Sequence, residues 1–330
     1  MMQKDLKIAI YGAGAIGCVV AARLILAGYS AVSLIARGQN KQVLEAHGIR
    51  LKDLTGEYQV YPFQVVECPS VLEVQDYIFI CTKFDALTQI SKHLHTMLHP
   101  QTVVIPLING VPFWYFYQDT STQINHIKTL DPDGELIKTF PLAHLIGAVV
   151  FITAQLEAYG QVSSHNPYLL ILGEPNQQMS ERLAQLSQLF IASGIEVRQS
   201  TDIRDQIWTK VMANLSSNPL SVIASATLSD IYAHPYLRDI ALNITQEVRQ
   251  VAASYGARIK IDPCTFLSLG ADMGPIYTSM WYDYQKKNPL ELTNIIDAVL
   301  ELAAVYAVPM PTTKLIAQLT RYLNQKNIQT

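Results

Sequence analysis

The stretch that decides the fold is "KIAIYGAGAIGCVVAARLILAG", residues 7–28. Its apolar start predicts a β-strand, and the apolar run after the glycines predicts a helix that Gly28 closes. Between the two lies the spacing Gly12-x-Gly14-x-x-Gly17, which is typical of a phosphate-binding loop. In such a loop Gly12 allows a tight turn, Gly14 lets the backbone approach a pyrophosphate, and Gly17 lets the helix pack on the strand. The motif alone is weak, but a strand directly before it and a helix directly after it predict dinucleotide binding.

The rest of the first 200 residues alternates short β-like runs with helical patterns. Further strands are predicted at residues 31–37, 76–83, 102–110, 145–155 and 168–175. The last two are predicted to be antiparallel, and a hairpin is predicted to turn near Thr55-Gly56. Alternation of this kind is typical of a doubly wound parallel sheet. The polar segment 118–143 is predicted to be a loop-like insertion between two sheet strands.

From about residue 201 the pattern becomes helical. Helices are predicted near residues 202–225, 235–256, 289–306 and 311–326. Pro289 and Pro311 fall at suitable positions for helix starts. The sequence therefore predicts an α/β dinucleotide-binding domain at residues 1–200, with the insertion 118–143, and a helical domain at residues 201–330.

The overall composition excludes several classes of protein. The 330 residues are 49% hydrophobic and 15% charged, with a formal net charge of -3, and no Lys/Arg cluster indicates nucleic-acid binding. No apolar run reaches the roughly 18 residues that a membrane span needs, and no signal peptide precedes the first strand. Four cysteines without CxxC spacing indicate a reduced compartment, so a cytoplasmic location is expected. No metal site is predicted, because the histidines lack ligand spacing with a nearby carboxylate.

The residue about twenty positions after the glycine loop indicates which cofactor binds. NAD-selective sites place Asp or Glu at the end of the second strand, where the carboxylate bonds the ribose 2′-hydroxyl. Here that strand ends in "LIARGQNK", and the position holds Arg37 with no acid beside it. A guanidinium suits a 2′-phosphate, so the sequence favours NADP(H) over NAD(H). The alternative is that Arg37 is an ordinary surface arginine.

Two other strands end in polar residues at the edge where open α/β sheets bind ligands. "DYIFICTK" ends in Thr82 and Lys83, and "TVVIPLING" ends in Asn109 and Gly110. Each pair also fits a plainer explanation, because Asn-Gly is common turn chemistry and lysines are often solvated at helix starts. Position alone therefore makes these residues candidates rather than an assigned site.

A second unusual stretch is "WTKVMANLSSNPLS", residues 208–221. It is mostly apolar, yet Lys210, Asn214 and Asn218 recur in it at four-residue steps. At 3.6 residues per turn these positions drift only about 80° around the axis, so they share one face of a helix. Burying a lysine without a partner or a task costs several kcal/mol, so this face predicts a polar site.

Taken as a set, these motifs resemble the ketopantoate reductase family over nearly the whole chain. The matching segments are "GAGAIG", "CTKFDAL", "PLINGV", "GEP", "IWTKVMANLSSNPLSVI", "TSMWYDYQKKNPLEL" and "YAVPMPT". The Lys-x3-Asn-x3-Asn block and the Ser-Met…Pro-x-Glu block are the specific parts. The resemblance implies an N-terminal Rossmann domain followed by an all-helical C-terminal domain, with the active site between them.

The resemblance also implies roles for single residues. Lys210 is expected to protonate the ketone oxygen as a general acid, with Glu291 beside it and the substrate. The residues expected to bind substrate are Asn109, Asn214, Asn218 and Ser279. The residues expected to bind the cofactor are Gly12, Ala13, Gly14, Ala15, Ile16, Gly17, Arg37, Lys83 and Asn109. In this scheme a cation that can release a proton lies where negative charge grows on oxygen, and the carboxamides orient the keto acid without adding charge.

The implied activity is the NADPH-dependent reduction of 2-dehydropantoate to pantoate, on the route to pantothenate and coenzyme A. Three positions depart from the usual family pattern: Asn288 replaces a basic residue, Leu290 replaces Thr, and Thr293 replaces an acid. The same chemistry on another 2-oxo acid therefore stays open. A non-catalytic NADP(H)-sensing protein is a third alternative, against which the presence of Lys210 and Glu291 argues. The expected partner is a small 2-oxo acid rather than nucleic acid or membrane, with a homodimer left open.

Overall fold

The computed structural model describes residues 4–119, 124 and 126–329 of the chain. It divides into two compact units, each with its own internal contacts. The first unit comprises Met1–Ile108, Phe116–Asn125 and Gly134–Ile203. The second unit comprises Asn109–Tyr115, His126–Asp133 and Arg204–Thr330. Two short segments from the first 200 residues thus group with the helical second unit.

The first unit contains the strands and the shorter helices. Its strands are β1 (Ile8–Tyr11), β2 (Val32–Ile35), β3 (Ile49–Asp53), β4 (Gly56–Val60), β5 (Gln64–Val66), β6 (Tyr77–Ile80), β7 (Val103–Pro106), β8 (Gly147–Phe151), β9 (Gln155–Ala158), β10 (Gln161–Ser163), β11 (Tyr168–Gly173) and β12 (Ile195–Gln199). Its helices are α1 (Ala15–Leu26), α2 (Gly38–His47), α3 (Leu87–Leu94), α4 (Glu135–Thr139) and α5 (Glu181–Leu189).

The central sheet has the strand order β5-β2-β1-β6-β7, and all of its neighbouring strands are parallel. The predicted doubly wound parallel sheet is therefore confirmed. Because the strands are parallel, their carboxyl ends meet at one edge, where Gly12, Arg37 and Lys83 follow β1, β2 and β6. The sheet thus brings the predicted cofactor-binding residues of this unit to a common edge.

Two smaller sheets complete the first unit. The predicted hairpin is confirmed, because β3 and β4 are antiparallel with Asp53 opposite Gly56. These strands continue into the order β4-β3-β10-β9. The predicted antiparallel pair is also confirmed, as β8 and β11, with β12 added parallel to β11. Between β7 and β8, the described part of the predicted insertion includes the short helix α4.

All four cysteines of the chain are free thiols. Cys18 on α1 belongs to the apolar core of the first unit, and Cys81 after β6 packs against that core. Burial raises the pKa of the Cys18 thiol to about 12 and raises the pKa of the Cys81 thiol as well. Cys68 in the first unit and Cys264 in the second are exposed, and a hydrogen bond from the Ser70 hydroxyl lowers the pKa of Cys68. The reactive thiols therefore lie at the surface, one on each unit.

The second unit is helical. Its helices are α6 (Ile203–Ala224), α7 (Leu228–Ala233), α8 (Pro235–Ser254), α9 (Pro263–Asp272), α10 (Ser279–Gln285), α11 (Ala298–Val305) and α12 (Pro311–Gln329), with a π-helix (Thr293–Asp297) leading into α11. The four predicted helices are thereby recovered. No helix of the described chain has both the length and the hydropathy needed to cross a membrane.

The start of the third predicted helix differs from the sequence prediction. Pro311 is the first residue of α12, as expected, but Pro289 and Glu291 precede their helix rather than opening it. The Leu292 N–H donates to the Leu290 carbonyl at 2.9 Å, which places Glu291 at the apex of a tight turn. The prediction that this helix starts at Pro289 is therefore wrong, because the tight turn delays the helix.

Side-chain contacts hold the two short segments within the second unit. The Trp208 indole N–H donates to the Tyr115 hydroxyl at 2.7 Å, and Arg204 donates to the Tyr115 carbonyl at 2.9 Å. The Glu301 carboxylate accepts from the backbone N–H groups of Lys128 and Thr129 at 2.8 and 2.6 Å. A part of the predicted insertion is therefore anchored to α11 by a carboxylate that caps two consecutive backbone donors.

Candidate active site

The glycine loop of the first unit has the geometry that its spacing predicts. Gly12 has a φ of +102°, and a Cβ there would lie 2.7 Å from the Thr82 side chain. A Cβ at Gly17 would lie 1.9 Å from the Gly12 carbonyl oxygen, which no side chain can tolerate. Gly12 and Gly17 are therefore required by the packing of α1 against β1, independently of any ligand.

Gly14 differs from the other two glycines of the loop. No atom lies within 4 Å of the position that a Cβ would take at Gly14, so the space beside it is open. Gly14 also precedes the first turn of α1 without a side-chain cap, which leaves backbone N–H groups of Ala15 and Ile16 available. An open space at an uncapped helix N-terminus suits a pyrophosphate, so these residues fit the predicted dinucleotide.

The two cationic candidates of this unit lie at the same edge of the central sheet. Arg37 is exposed and immediately precedes α2, and Lys83 is exposed and precedes a short 3-10 helix. Burial raises the pKa of Tyr11, at the end of β1, and the Arg37 charge partly opposes that rise. Arg37 therefore acts electrostatically on the end of β1, which leads directly into the glycine loop.

Two further residues beside the glycine loop carry polar atoms that have no hydrogen-bond partner in the described part of the chain. The Asn40 amide donates to the Ala13 carbonyl at 3.0 Å, while its Oδ1 is buried and unpartnered. The hydroxyl of Thr82, a residue whose methyl group faces Gly12, is also buried and unpartnered. Both lie in segments that the sequence singled out, "ARGQNK" and "CTK", but only the folded loop shows that they face it.

In the second unit, α6 presents the predicted polar face. Asn214 and Asn218 are 8% and 4% exposed, and Lys210 is half-buried. Burial lowers the pKa of Lys210 from its ordinary value to about 8. An ammonium with this pKa releases its proton near neutral pH far more readily than an exposed lysine does, which suits general acid catalysis.

The carboxamides on this face are not equally satisfied. Asn218 Oδ1 accepts from the Ser217 hydroxyl at 3.4 Å, within the same helix. Asn214 Nδ2 is buried and has no hydrogen-bond partner among the described residues. A buried amide donor without an acceptor costs about 1–3 kcal/mol, and an acceptor on a bound molecule would remove this cost.

Asn109 belongs to the second unit, although it follows β7 by only three residues. It is half-buried, and its backbone carbonyl accepts from the side chain of Asn294, which lies three residues after Glu291. Two of the predicted site segments are therefore joined through Asn294. Sequence reasoning missed Asn294, because nothing in its neighbourhood in the sequence signals a partner so far away along the chain.

The remaining candidates lie around α10. Ser279 is exposed and is the first residue of α10, where the Thr278 hydroxyl caps the helix by accepting from the Trp281 N–H at 3.3 Å. The Tyr277 and Trp281 rings stack next to it at 3.8 Å between centroids. An aromatic surface therefore flanks Ser279, which is predicted to bind substrate.

Asn288 and Leu290, two of the residues that differ from the family pattern, make contacts that stabilise the local structure. Asn288 donates through its amide to the Asp283 carboxylate at 3.0 Å, which fastens the end of α10. Leu290 is 9% exposed and packs as an apolar residue beside Glu291. These side chains shape the segment between Ser279 and Glu291 without adding charge to it.

The described residues hold no group of three or more His, Cys, Asp or Glu side chains that could bind a metal ion. The histidines after α3 are used elsewhere. His95 is hydrogen-bonded to the Thr139 carbonyl at 2.9 Å, and His99 pairs with Asp76 at 3.3 Å. A hydrogen bond or an ion pair thus already engages each of these two histidines.

Known proteins resemble this chain over almost its full length. The family model "Ketopantoate reductase PanE/ApbA" matches residues 8–177, and the model "Ketopantoate reductase PanE/ApbA C terminal" matches residues 202–324. A 2-dehydropantoate 2-reductase from Mesorhizobium japonicum is 32% identical over 319 residues, covering 96% of this chain and 98% of the relative.

Solved structures extend the comparison to three dimensions. A protein from Ralstonia solanacearum, assigned as a ketopantoate reductase, aligns with a TM-score of 0.90 at 30% identity and covers 97% of this chain and 98% of its own. A D-mandelate dehydrogenase aligns with a TM-score of 0.81 at 22% identity over 98% of this chain and 99% of its own, a likeness of fold alone.

Proposed function

This chain belongs to the ketopantoate reductase family, and from that premise we propose that it reduces 2-dehydropantoate to pantoate. Membership makes it an oxidoreductase that acts on a CH–OH group with NADP(H) as its cofactor. The bound cofactor supplies the hydride. The contribution of the protein is to orient the keto acid and to deliver a proton to its oxygen.

The observation that carries the proposal is the polar face of α6. Reduction of a ketone places negative charge on its oxygen, and Lys210, with a pKa of about 8, is protonated at neutral pH and able to give that proton up. Asn214 contributes a buried amide donor that has no hydrogen-bond partner among the described residues. An acceptor on the substrate would satisfy it, so the face suits a small molecule rich in oxygen.

The other candidate residues complete a consistent scheme. Ser279 is proposed to hold the substrate carboxylate, while Asn218 and Asn109 orient the rest of the molecule. Glu291, at the apex of its tight turn, is proposed to support Lys210. On the cofactor side, Gly14 leaves room for the pyrophosphate, and Arg37 is proposed to contact the 2′-phosphate.

A different 2-oxo acid is the second candidate, favoured by one specific set of residues. Asn288 and Leu290 stand at two positions before Glu291 where the family commonly has a basic residue and a threonine. The stacked rings of Tyr277 and Trp281 flank Ser279, so an acid with a larger apolar substituent would find apolar contacts. The D-mandelate dehydrogenase of similar fold was solved with anilino(oxo)acetate, which carries an aromatic ring.

The test is a substrate panel with the purified protein. NADPH oxidation is followed with 2-dehydropantoate and with 2-oxo acids of increasing size, including phenylglyoxylate. The proposal expects the highest kcat/KM with 2-dehydropantoate, and a preference for an aromatic acid would replace it with the second candidate. Absence of turnover with every acid would contradict both. The homodimer stays a prediction that sedimentation analysis can test.

A further inference from the structure

A buried contact in the second unit ties the loop after β7 to the helix that follows Glu291. Asn294 is 1% exposed, and its side-chain Nδ2 donates to the Asn109 carbonyl at 2.6 Å. The backbone carbonyl of Asn294 accepts from the Val111 N–H at 2.8 Å. One residue thus holds the loop on both sides of Gly110, across 185 positions of sequence.

Gly110 shows how closely the two segments approach. Its φ is +83°, and a Cβ there would lie 2.3 Å from the Asn294 carbonyl oxygen and 2.9 Å from Asn294 Nδ2. Real Cβ atoms do not come within 3 Å of such atoms. The backbone of the loop therefore lies directly on Asn294, and a shift of either segment would break both hydrogen bonds.

The local backbone around Asn294 is itself unusual. Residues Thr293–Asp297 form a π-helix, in which the Ala298 N–H bonds to the Thr293 carbonyl five residues earlier. Such π segments are rare and are frequent at functional sites. Glu291 lies at the apex of the tight turn immediately before this segment. Asn294 is therefore within one turn of Glu291 and in contact with the backbone of Asn109.

We propose that Asn294 is a positioning residue, which fixes Asn109 and Glu291 relative to each other through its two hydrogen bonds to the loop. The proposal rests on the proposed substrate- and cofactor-binding role of Asn109. Because the Asn294 amide fixes the Asn109 peptide, it also fixes the direction in which the Asn109 side chain leaves the backbone. A displacement of about 1 Å at such a residue can cost up to about 100-fold in rate.

The experiment is a double-mutant cycle with Asn109→Ala and Asn294→Leu. Leucine has the same branching and number of side-chain heavy atoms as asparagine but cannot donate a hydrogen bond. Asn294→Leu alone should lower kcat/KM by about 10- to 100-fold. In the Asn109→Ala background the same change should lower kcat/KM by less than about threefold, because Asn294 acts through Asn109. If the loss of kcat/KM in the double variant equals the product of the losses in the two single variants, the proposal is overturned.

A structural role is separated from a positioning role by a matched control. Thr320 on α12 is fully buried, and its hydroxyl donates to the Ile316 carbonyl at 2.8 Å. Thr320→Val should lower the melting temperature while kcat/KM of the folded protein stays unchanged. Hydrogen exchange gives a second readout, since Asn294→Leu should speed exchange of the Val111 amide and Thr320→Val should not.

The outcomes distinguish this inference from the proposed function. If Asn109→Ala leaves kcat/KM unchanged, the assigned role of Asn109 fails, and the inference fails with it. If Asn109→Ala lowers kcat/KM but Asn294→Leu does not, only the inference is overturned. Should Asn294→Leu not fold, Asn294→Ala removes the donor without adding an atom to the contact, and the same cycle is measured with it.

Discussion

The glycine loop and the lysine-bearing face of α6 are held in place by opposite means. The loop depends on missing side chains, since a Cβ at Gly17 would lie 1.9 Å from the Gly12 carbonyl, five residues away. The polar face depends on side chains that are present, and Asn294 joins two other segments that carry candidate residues, across 185 positions. The difference teaches that a local backbone motif can be recognised from spacing, whereas a site assembled from distant segments needs the fold.

The largest effect is expected at Lys210, where a substitution should lower kcat much more than it lowers the stability of the fold. Lys210→Ala should lower kcat by about 10²–10⁴-fold, the usual contribution of a general acid, while NADPH affinity stays nearly intact. Lys210→Arg should restore little, because arginine does not release a proton near neutral pH. Stopped-flow reduction and a cofactor fluorescence titration measure the two quantities. A Lys210→Ala protein that melts earlier yet keeps full kcat would make the lysine structural instead.

The next largest effect is expected in the glycine loop, the other of the two regions compared above. Gly17→Ala should lower the free energy of unfolding by about 3 kcal/mol, because its methyl group would overlap the Gly12 carbonyl. Gly14→Ala should change stability by less than about 1 kcal/mol, since its φ of -80° suits alanine and the space is open. It should instead weaken NADPH binding. Equal destabilisation of the two variants in denaturant titrations would contradict the distinction drawn between these glycines.

The pH dependence should follow the lowered pKa of Lys210. Below about pH 8 the ammonium is protonated, so kcat/KM for reduction should be level and then fall about tenfold per pH unit above it. Between about pH 8 and 10.5 the unfolded chain keeps this proton while the folded chain has lost it, so stability should rise relative to Lys210→Met. A rate profile without a break near pH 8 would mean that another group supplies the proton.

A smaller effect is expected at Arg37, whose substitution should change the preference for NADPH over NADH without disturbing the fold of the glycine loop. Arg37→Asp should raise the KM for NADPH about tenfold or more, because a charge-assisted contact to the 2′-phosphate is lost and repulsion is added. The KM for NADH should change little. Steady-state kinetics with both cofactors measure the ratio, and an unchanged ratio would leave Arg37 an ordinary surface residue.

The smallest effects are expected at Ser279 and Asn218. Alanine at either position should raise the KM for the keto acid roughly 3- to 10-fold, as the loss of one neutral hydrogen bond predicts, with kcat less affected. The control is Ser268→Ala on α9, because the Ser268 hydroxyl donates to the Cys264 carbonyl within its own helix. An unaltered KM for both variants would assign Ser279 and Asn218 to helix packing.

The parts of the molecule that follow local rules could be predicted from the sequence. The spacing of Gly12, Gly14 and Gly17 fixes a turn within six residues, and the structure gives each the environment expected of it. Helical periodicity alone predicts the polar face of α6, so no tertiary information is needed to assign Asn214 and Asn218 to it.

The rest depends on contacts that periodicity does not encode. Pro289 predicts a helix that starts at that residue, but the hydrogen bond from the Leu292 N–H to the Leu290 carbonyl delays the helix. The Asn109-Gly110 pair has the composition of an ordinary turn, and only the fold shows that the turn rests on Asn294. The anchoring of Lys128 and Thr129 by Glu301 is likewise invisible, since a single carboxylate in an apolar helix has no distinctive spacing.

The distribution of thiols makes the unaltered chain suitable for fluorescence labelling. Maleimide dyes react with thiolates, so Cys18 and Cys81, whose pKa values burial raises, should stay unmodified under native conditions. Cys68 on the first unit and Cys264 on the second are exposed and should each take one dye. Energy transfer between a donor and an acceptor attached there would report, one molecule at a time, whether cofactor and keto acid change the distance between the two units during turnover.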